Sequence, residues 1–461
     1  MKKPGAGRAR AFLLVVSTGS ILAGCSVFPD YDAPQMRLSD RYSILQPIAV
    51  SSRADTAWWR AFHDPTLDGL IERAAGQNLT IAQARARVRE AEALARRAGL
   101  SDIGGSADIS VSREGRGSVG LGLEAILSPG RRPEVAAAAA RLDVARNAET
   151  DARRLVVGEL ALAYADLRYS QALLSYRHQD LRSRRRTLND ITAQFEAQVA
   201  TRLDAVRAQA LLAQTEALIP QTEAQIAILE SRIATLLGEP AGRAGLHLGP
   251  TGVQPLPQGG GDIGVPADLL RARPDVRQAE RLYAAAVSDL GAAEAARWPR
   301  LSLSGLIRAP LAGGSSTDRL DFGVAIPIFS QPALAAEVDA AEARVEQALI
   351  AWKSAVLTAV DEVESALLAL DASRRTAAAS SRVAQLNQEA LDLSRQLFLG
   401  SGETTVLDVL DRERSLSDAR VVLAQAQRDV ARDYIRLYTA LGLEDGFGAP
   451  PDFQASALPV K

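Results

Sequence analysis

Apolar residues recur at every seventh position along two long stretches of the chain. Leu160, Leu167, Leu174, Leu181, Leu188 and Phe195 form one ladder, and Val363, Leu370, Ala377, Ala384, Leu391 and Phe398 form another, each 203 positions after its counterpart. A shorter ladder, Leu212, Ile219, Ile226 and Ile233, recurs as Leu416, Leu423, Val430 and Leu437 at an offset of 204, and Leu237-Gly238 matches Leu441-Gly442. A fixed offset of this kind marks a duplicated unit, here with one extra residue at the second helical turn. The seven-residue period draws an apolar stripe along one side of a helix and favours a left-handed supercoil. It predicts long helices over 133–195 and 332–398, roughly 95 and 100 Å at 1.5 Å per residue. Shorter helical runs are predicted near 64–100, 203–237 and 406–441.

Each half interrupts its helices at the same relative place with two segments of period two. Ala107, Ile109 and Val111 alternate with Ser106, Asp108, Ser110 and Ser112, and Val119, Leu121, Leu123 and Ala125 with Ser118, Gly120, Gly122 and Glu124. The second half gives Leu301, Leu303 and Ile307 against Ser302, Ser304 and Arg308, then Leu320, Phe322, Val324, Ile326 and Ile328 against Asp321, Gly323, Ala325 and Pro327. Strands are expected near 105–112, 118–127, 301–308 and 320–328, joined by turns at 113–117 and 309–318. A half-buried soluble sheet and an outer-membrane barrel wall share this pattern. In lipid, four strands cannot close a barrel, whose smallest forms have about eight, and open edges are not tolerated. A membrane reading therefore requires copies of the chain to share one barrel; three copies supply about twelve strands.

The first residues decide between these readings. Lys2, Lys3, Arg8 and Arg10 precede a short apolar run, and Leu22-Ala23-Gly24-Cys25 follows. That is a secretory leader too short to span a bilayer. Its ending resembles a bacterial lipobox, which implies cleavage before Cys25 and acylation of that thiol; Ser26 next to it implies sorting to the outer membrane. The expected organisation is a signal peptide at 1–24, a lipidated extended segment at 25–63, a first repeat at 64–237, a Gly- and Pro-rich linker at 238–272, a second repeat at 273–441 and a tail at 442–461.

Composition narrows the chemistry. A net charge of −2 argues against a nucleic-acid coat. One Cys and three His far apart exclude an intrachain disulfide and a Cys/His metal cluster. His63, His178 and His247 read as solvent-facing or capping, and the arginines at 182–186 as one solvated helix face. Neither a Ser/His/Asp nor a Cys/His constellation is apparent, so no enzyme activity, cofactor or metal is expected.

Several short motifs then occur in order: Phe28-Pro29-Asp30-Tyr31-Asp32-Ala33-Pro34, Trp59-x-x-Phe62-x-Asp64-Pro65-x-Leu67, Arg273-Pro274-Asp275-Val276 with Ala279-Glu280, Trp298-Pro299-Arg300-Leu301-Ser302-Leu303, Pro327-Ile328-Phe329, and Gly402 with Val406-Leu407-Asp408-Val409-Leu410-Asp411. Together they resemble the TolC-like outer-membrane efflux factor family in its lipoprotein, NodT-type branch. The resemblance implies a mainly α fold with a membrane β portion. Long antiparallel coiled-coil helices form an α-barrel, and four amphipathic strands per chain contribute to a 12-stranded trimeric β-barrel. It further implies an outer-membrane, lipid-anchored homotrimer with a large periplasmic portion, acting as the exit duct of a tripartite pump. The partners implied are a periplasmic adaptor and an inner-membrane pump of the RND type, besides outer-membrane lipid and no nucleic acid. Gln198 departs from the pattern, standing in the first helical turn where Gly402 stands in the second.

In similar ducts the second tip closes as rings of apolar and acidic side chains. The matching positions are Leu407, Asp411 and Arg414, with Asp408 joining the ring or pairing between helices. Negative charge near a helix N-terminus explains Asp408 and Asp411 equally. The turns bearing Thr201, Arg202, Gly402, Thr404 and Thr405 are where an adaptor is expected to dock; short polar residues are also ordinary turn chemistry. Two alternatives remain beside the small-molecule duct: the exit duct of a type I protein secretion system, and a lipid-anchored periplasmic coiled-coil scaffold.

Overall fold

The computed structural model describes residues 31–36, 57–100, 103–111, 117–240, 254–258, 273–311, 315–400 and 405–442. After a 3-10 turn, Trp58–Phe62, come α1 (Pro65–Gln77), α2 (Leu79–Gly99), β1 (Ile103–Val111), β2 (Gly117–Leu127), α3 (Arg131–Glu196) and α4 (Arg202–Leu236). The second repeat gives α5 (Pro274–Ala295), β3 (Arg300–Pro310), β4 (Thr317–Ala325), α6 (Gln331–Gly400) and α7 (Val406–Leu441). The leader, Cys25, His247, Gly402, Thr404, most of the 238–272 linker, most of the 113–117 turn and the tail from 443 lie outside the described residues.

The chain forms two compact units, one of which contains Arg89–Val144 and Ala279–Trp352. Its centre is a four-stranded sheet in the order β1-β2-β3-β4, antiparallel throughout. The β2–β3 pairing joins the two repeats, and β1 and β4 are left as edges. The register sets Ala107 opposite Leu121, Leu121 opposite Ile307, and Leu303 opposite Phe322, so the apolar positions of all four strands share one face. On it Ile109, Leu121, Leu123, Leu303, Ile307, Leu320, Phe322 and Val324 are exposed. The other face carries Ser106, Asp108, Glu124, Ser302, Ser304, Arg308, Arg319 and Asp321; Leu306 and Ile126 on this face, and Asp318 opposite Ile307 on the apolar one, are exceptions to the alternation. Asp108 reaches across β2 to Arg308 at 3.5 Å, over Gly120, which lies between them in register. A Cβ at Gly120 would meet the Asp108 carboxylate, so a side chain there would displace that carboxylate from its place beside Arg308. In the same unit Tyr31 donates its hydroxyl to Glu280 at 2.7 Å and packs by Ala140, Ala284 and Ala285.

The second unit comprises Ala145–Gln278, Lys353–Lys461 and the preceding Met36–Val88, as far as these are described. Heptad residues Leu160, Leu167, Val363, Leu370, Val430 and Leu437 are buried in its largest core, together with Trp58, Trp59 and Phe62. The aromatic rings close on α7, with Phe62 edge-on to Tyr434 at 5.5 Å and Trp58 stacked on Tyr438 at 6.1 Å. Asp64 caps α1 by accepting from Thr66 N at 3.0 Å and also accepts the Tyr164 hydroxyl. Where the period predicts one run over 64–100, the structure breaks at Asn78. Its backbone is extended, its Oδ1 accepts from Thr80 N and Ile81 N, and its Nδ2 donates to Leu236 O at 2.7 Å. Arg273, 2% exposed, is bidentate on Asp275, reaches Glu362 at 2.7 Å and donates to Ala440 O at the end of α7. The arginines at 182–186 are not all solvated. Arg184 donates to Leu211 O at 2.8 Å and to Thr215, and Arg185 pairs with Glu216 at 3.0 Å, stitching α3 to α4. His63 ends the 3-10 turn in the left-handed region, at φ 49°.

The duplication extends to the helix ends. Gly238 and Gly442 adopt φ 76° and 70°, the left-handed termination that glycine permits. Gln198 adopts φ 63° in the same role: its N–H donates to Phe195 O and that of Val199 to Gln194 O, the paired bonds of a Schellman ending. Substituting Gly442→Ala adds a side chain at a positive φ against Arg273 Cα at 3.0 Å; the expected cost is about 1–2 kcal/mol, seen as a lower melting midpoint. Gln198→Gly is expected to raise the midpoint by relieving about 0.5–1 kcal/mol. A glycine variant that melts below the parent chain contradicts this account of the turn.

Candidate functional site

Helices α4 and α7 open with the same device 204 positions apart. The Thr201 hydroxyl accepts from Asp204 N at 3.3 Å while Asp204 accepts from Thr201 N at 3.1 Å. Thr405 and Asp408 repeat both bonds at 3.3 and 2.9 Å, and in each box the hydroxyl also donates to the carboxylate at 2.6 Å. These reciprocal capping boxes satisfy amides that a helix N-terminus leaves unpaired. The Thr405 hydroxyl and backbone hold the Asp408 carboxyl below the usual carboxylate range, and Thr201 does the same for Asp204. Among the expected site residues, Thr201, Thr405 and Asp408 therefore shape the turns, and their polar groups are already engaged. Arg202 is exposed at the start of α4.

The remaining candidates share one stripe. Leu407 is 54% exposed, and Asp411 and Arg414 follow it on the same face at spacings of four and three. Arg414 lies 4.0 Å from Asp418, one further turn along. The opposite side of the helix is buried: Val406 and Leu410 pack with Ile191 and Ala208, while Val409 and Leu416 pack with Leu391. Within one chain, then, Leu407, Asp411 and Arg414 face outward together. The first repeat carries Leu203 and Arg207 at the positions of Leu407 and Asp411, so the two tips bear opposite charge on equivalent faces.

A second polar group at this end was not among the candidates. Glu413 lies on the buried side of α7 with its side chain 3% exposed. Its Oε1 accepts from Arg395 at 2.5 Å, Thr187 at 2.7 Å and Ser183 at 3.1 Å, joining α6, α7 and α3; its Oε2 is buried without a partner among the described residues. A turn along α7, Ser417 donates to Asp180 at 2.6 Å and Arg420 approaches Asp180 at 3.6 Å while donating to Gln388 at 2.7 Å. Burial pushes the Asp180 carboxyl up from the usual range against the pull of Ser417 and Arg420. The available signal was a carboxylate among Val409, Leu410 and Leu416, at a spacing that puts it on the apolar face. No group of carboxylates, His or Cys suited to a metal ion occurs among the described residues, nor does any helix long and apolar enough to cross a membrane.

The sequence profile described as outer membrane efflux protein matches residues 70–239 and 265–443. Nodulation protein T of Rhizobium leguminosarum bv. trifolii is 34% identical, over 94% of this chain and 96% of that protein. The toluene efflux pump outer membrane protein TtgC of Pseudomonas putida is 25% identical, over 94% and 95%. The solved outer-membrane channel OprN superposes with a TM-score of 0.82 at 28% identity, over 91% of this chain and 99% of that one.

Removing one partner of a buried, hydrogen-bonded ion pair costs on the order of 3–5 kcal/mol. Glu413→Ala is therefore expected to speed amide hydrogen exchange in α3 around 183–187 and in α6 around 391–395, with α1 and its aromatic cluster unchanged. Uniform exchange in the variant and the parent chain excludes Glu413 as the tie between these helices.

Proposed function

The chain belongs to the outer membrane efflux protein family, and from that premise we propose that it is the passive exit duct of a tripartite pump for small toxic compounds. It is an outer-membrane efflux channel with a large periplasmic portion; family and fold are those of channels, not of enzymes. The observation that carries the finer reading is the sheet, with one face exposed and apolar and both edge strands unpaired. In lipid such edges must find partners, and the smallest source of partners is the same chain. Three copies give twelve strands, an even-numbered barrel wide enough for an aqueous lumen lined by the Ser, Gly and paired charges of the polar face.

The helices support the same assembly. Hydrogen bonds join α3 to α4, α3 to α7 and α7 to α6. Outside those seams, α4 leaves Leu203, Val206, Ala210, Ala213 and Ala217 exposed, and α6 leaves Val383, Leu386, Leu393 and Leu397 exposed, both at coiled-coil spacings. Two different unfilled stripes suit a head-to-tail contact between copies, the kind that closes into a ring.

In that ring, Leu407 forms an apolar constriction and Asp411 a carboxylate ring with Arg414 beside it, while Asp408 stays in its cap. A periplasmic adaptor docks at the turns around Arg202, 402 and 404, and an inner-membrane pump of the RND type supplies the energy. Cys25 carries the lipid anchor. TtgC is by its name a toluene efflux protein, and apolar toxic molecules are the substrate class proposed here.

Three outcomes test this reading. Leu386→Asp with Leu393→Asp is expected to convert trimers to monomers in light scattering while helix content persists. Leu407→Ala with Asp411→Ala should raise single-channel conductance and sensitivity to vancomycin-sized antibiotics; unchanged conductance removes both residues from the gate. Deleting the gene should lower resistance to small apolar toxins, and loss of a secreted protein with toxin resistance intact points instead to type I secretion.

A further inference from the structure

We infer that the junction between the strands and the helices is a collar for anionic phospholipid head groups. This rests on the membrane reading of the sheet. Pairing of Ile103 with Ala125, Leu127 with Leu301 and Arg300 with Ala325 gathers all four strand-to-helix junctions at one end of the sheet. The exposed apolar face does not stop there. Beyond Ala325, the stripe of Leu320, Phe322 and Val324 continues as exposed Ile326 and Ile328, and Phe329 is 98% exposed. Trp298, just before β3, is half exposed. Bulky apolar and aromatic side chains in water without a partner, continuous with a lipid-facing surface, mark the depth where chains meet head groups.

Several arginines sit at this level. In sequence, Arg96, Arg97, Arg131, Arg132, Arg297 and Arg300 lie within about two turns of the junctions, in stretches that also carry Asp102, Glu134, Asp289, Glu294 and Glu337; of these acids, Asp289 is paired with Arg141 at 2.5 Å and Glu337 with Arg344 at 2.9 Å. Arg131 is engaged, donating to Gly99 O and Leu100 O at the end of α2, and Arg300 alternates onto the polar face. Arg96, Arg97, Arg132 and Arg297 are exposed, and none has a side-chain partner among the described residues. Arg132 also sits in the first turn of α3, where a helix disfavours a cation, so helix stability does not explain it. A phosphodiester at the membrane surface does: guanidinium binds phosphate through paired donors, and the leaflet that meets the periplasmic side of the sheet presents phosphates at the height of Trp298 and Phe329.

The test uses the full chain purified from membranes in detergent, with bound lipid counted by native mass spectrometry. Phosphatidylglycerol is expected to bind at least tenfold tighter than phosphatidylcholine of the same acyl chains. Arg97→Gln with Arg132→Gln and Arg297→Gln should erase that preference, by up to about fivefold per arginine, the equivalent of ~1 kcal/mol each near an anionic surface. The corresponding lysine variants should keep most of it, and 0.5 M salt should suppress it, because the Debye length then falls below about 5 Å. Equal affinity for the two lipids, or a preference that survives the glutamine variants, overturns the collar. Dissociation of the oligomer in those variants, with lipid preference intact, assigns the arginines to the contact between copies instead. Flotation with phosphatidylcholine vesicles separates the premises: a parent chain that fails to float defeats the membrane reading itself, whereas one that floats without lipid preference defeats the collar alone.

Discussion

Backbone amides and carbonyls have no partner in hydrocarbon, and that constraint governs what this chain can be. The four strands satisfy one another internally and leave the outer groups of β1 and β4 open. In water such edges are a tolerable liability; in lipid each unmet group costs several kcal/mol. A single copy is therefore an incomplete object, and its surfaces show it. The exposed apolar face of the sheet, the small-residue stripe of α4 and the leucine stripe of α6 are burials that one chain begins and cannot finish.

Helices as long as α4 and α7 place the opposite demand on their ends. Tertiary packing stabilises the middle of a helix, but each terminus exposes unpaired groups that must be answered locally. The two repeats answer identically where geometry is at stake: capping boxes at Thr201 and Thr405, left-handed glycines at 238 and 442. They diverge where it is not. Leu203 and Arg207 in the first repeat correspond to Leu407 and Asp411 in the second, on helices that start in the same way. A duplicated scaffold with fixed turns leaves its outward face free to carry different chemistry, and only one of the two faces has a carboxylate where a ring is proposed.

The ladders, the strands and the paired helices were legible because they follow periods, and a period needs only neighbours along the chain. Contacts between distant residues left no such trace. Asn78 reads as one polar residue in a helical run until Leu236 O is seen beside it, 158 positions away. Glu413 and its partners Ser183 and Thr187 are more than 220 positions apart. Reading the exposed stripe of α7 passed from Asp411 to Arg414 and stepped over Glu413, which lies on the buried side. The motifs that carried the family resemblance turn out to serve packing. Tyr31 and Glu280, Trp59 and Phe62 against α7, and Arg273 between Glu362 and Ala440 are joints that hold elements together. An efflux duct is recognisable in sequence mainly through its joints, since its lumen asks only for small and polar side chains.

The nature of the Glu413 contact bears on how such a duct opens. An apolar residue at 413, packed among Val409, Leu410 and Leu416, is a more stable choice than a carboxylate that leaves one oxygen orphaned, because desolvation cancels much of a buried ion pair's attraction. Apolar packing, however, yields gradually and holds in many registers, whereas four donors and acceptors on three helices fit in one arrangement and fail together when one helix moves. A proposed gate that must stay shut without a pump and release when an adaptor engages its turns needs that kind of contact: specific in geometry, modest in net energy, and placed on the hidden side of the helix whose other face is proposed to close the channel.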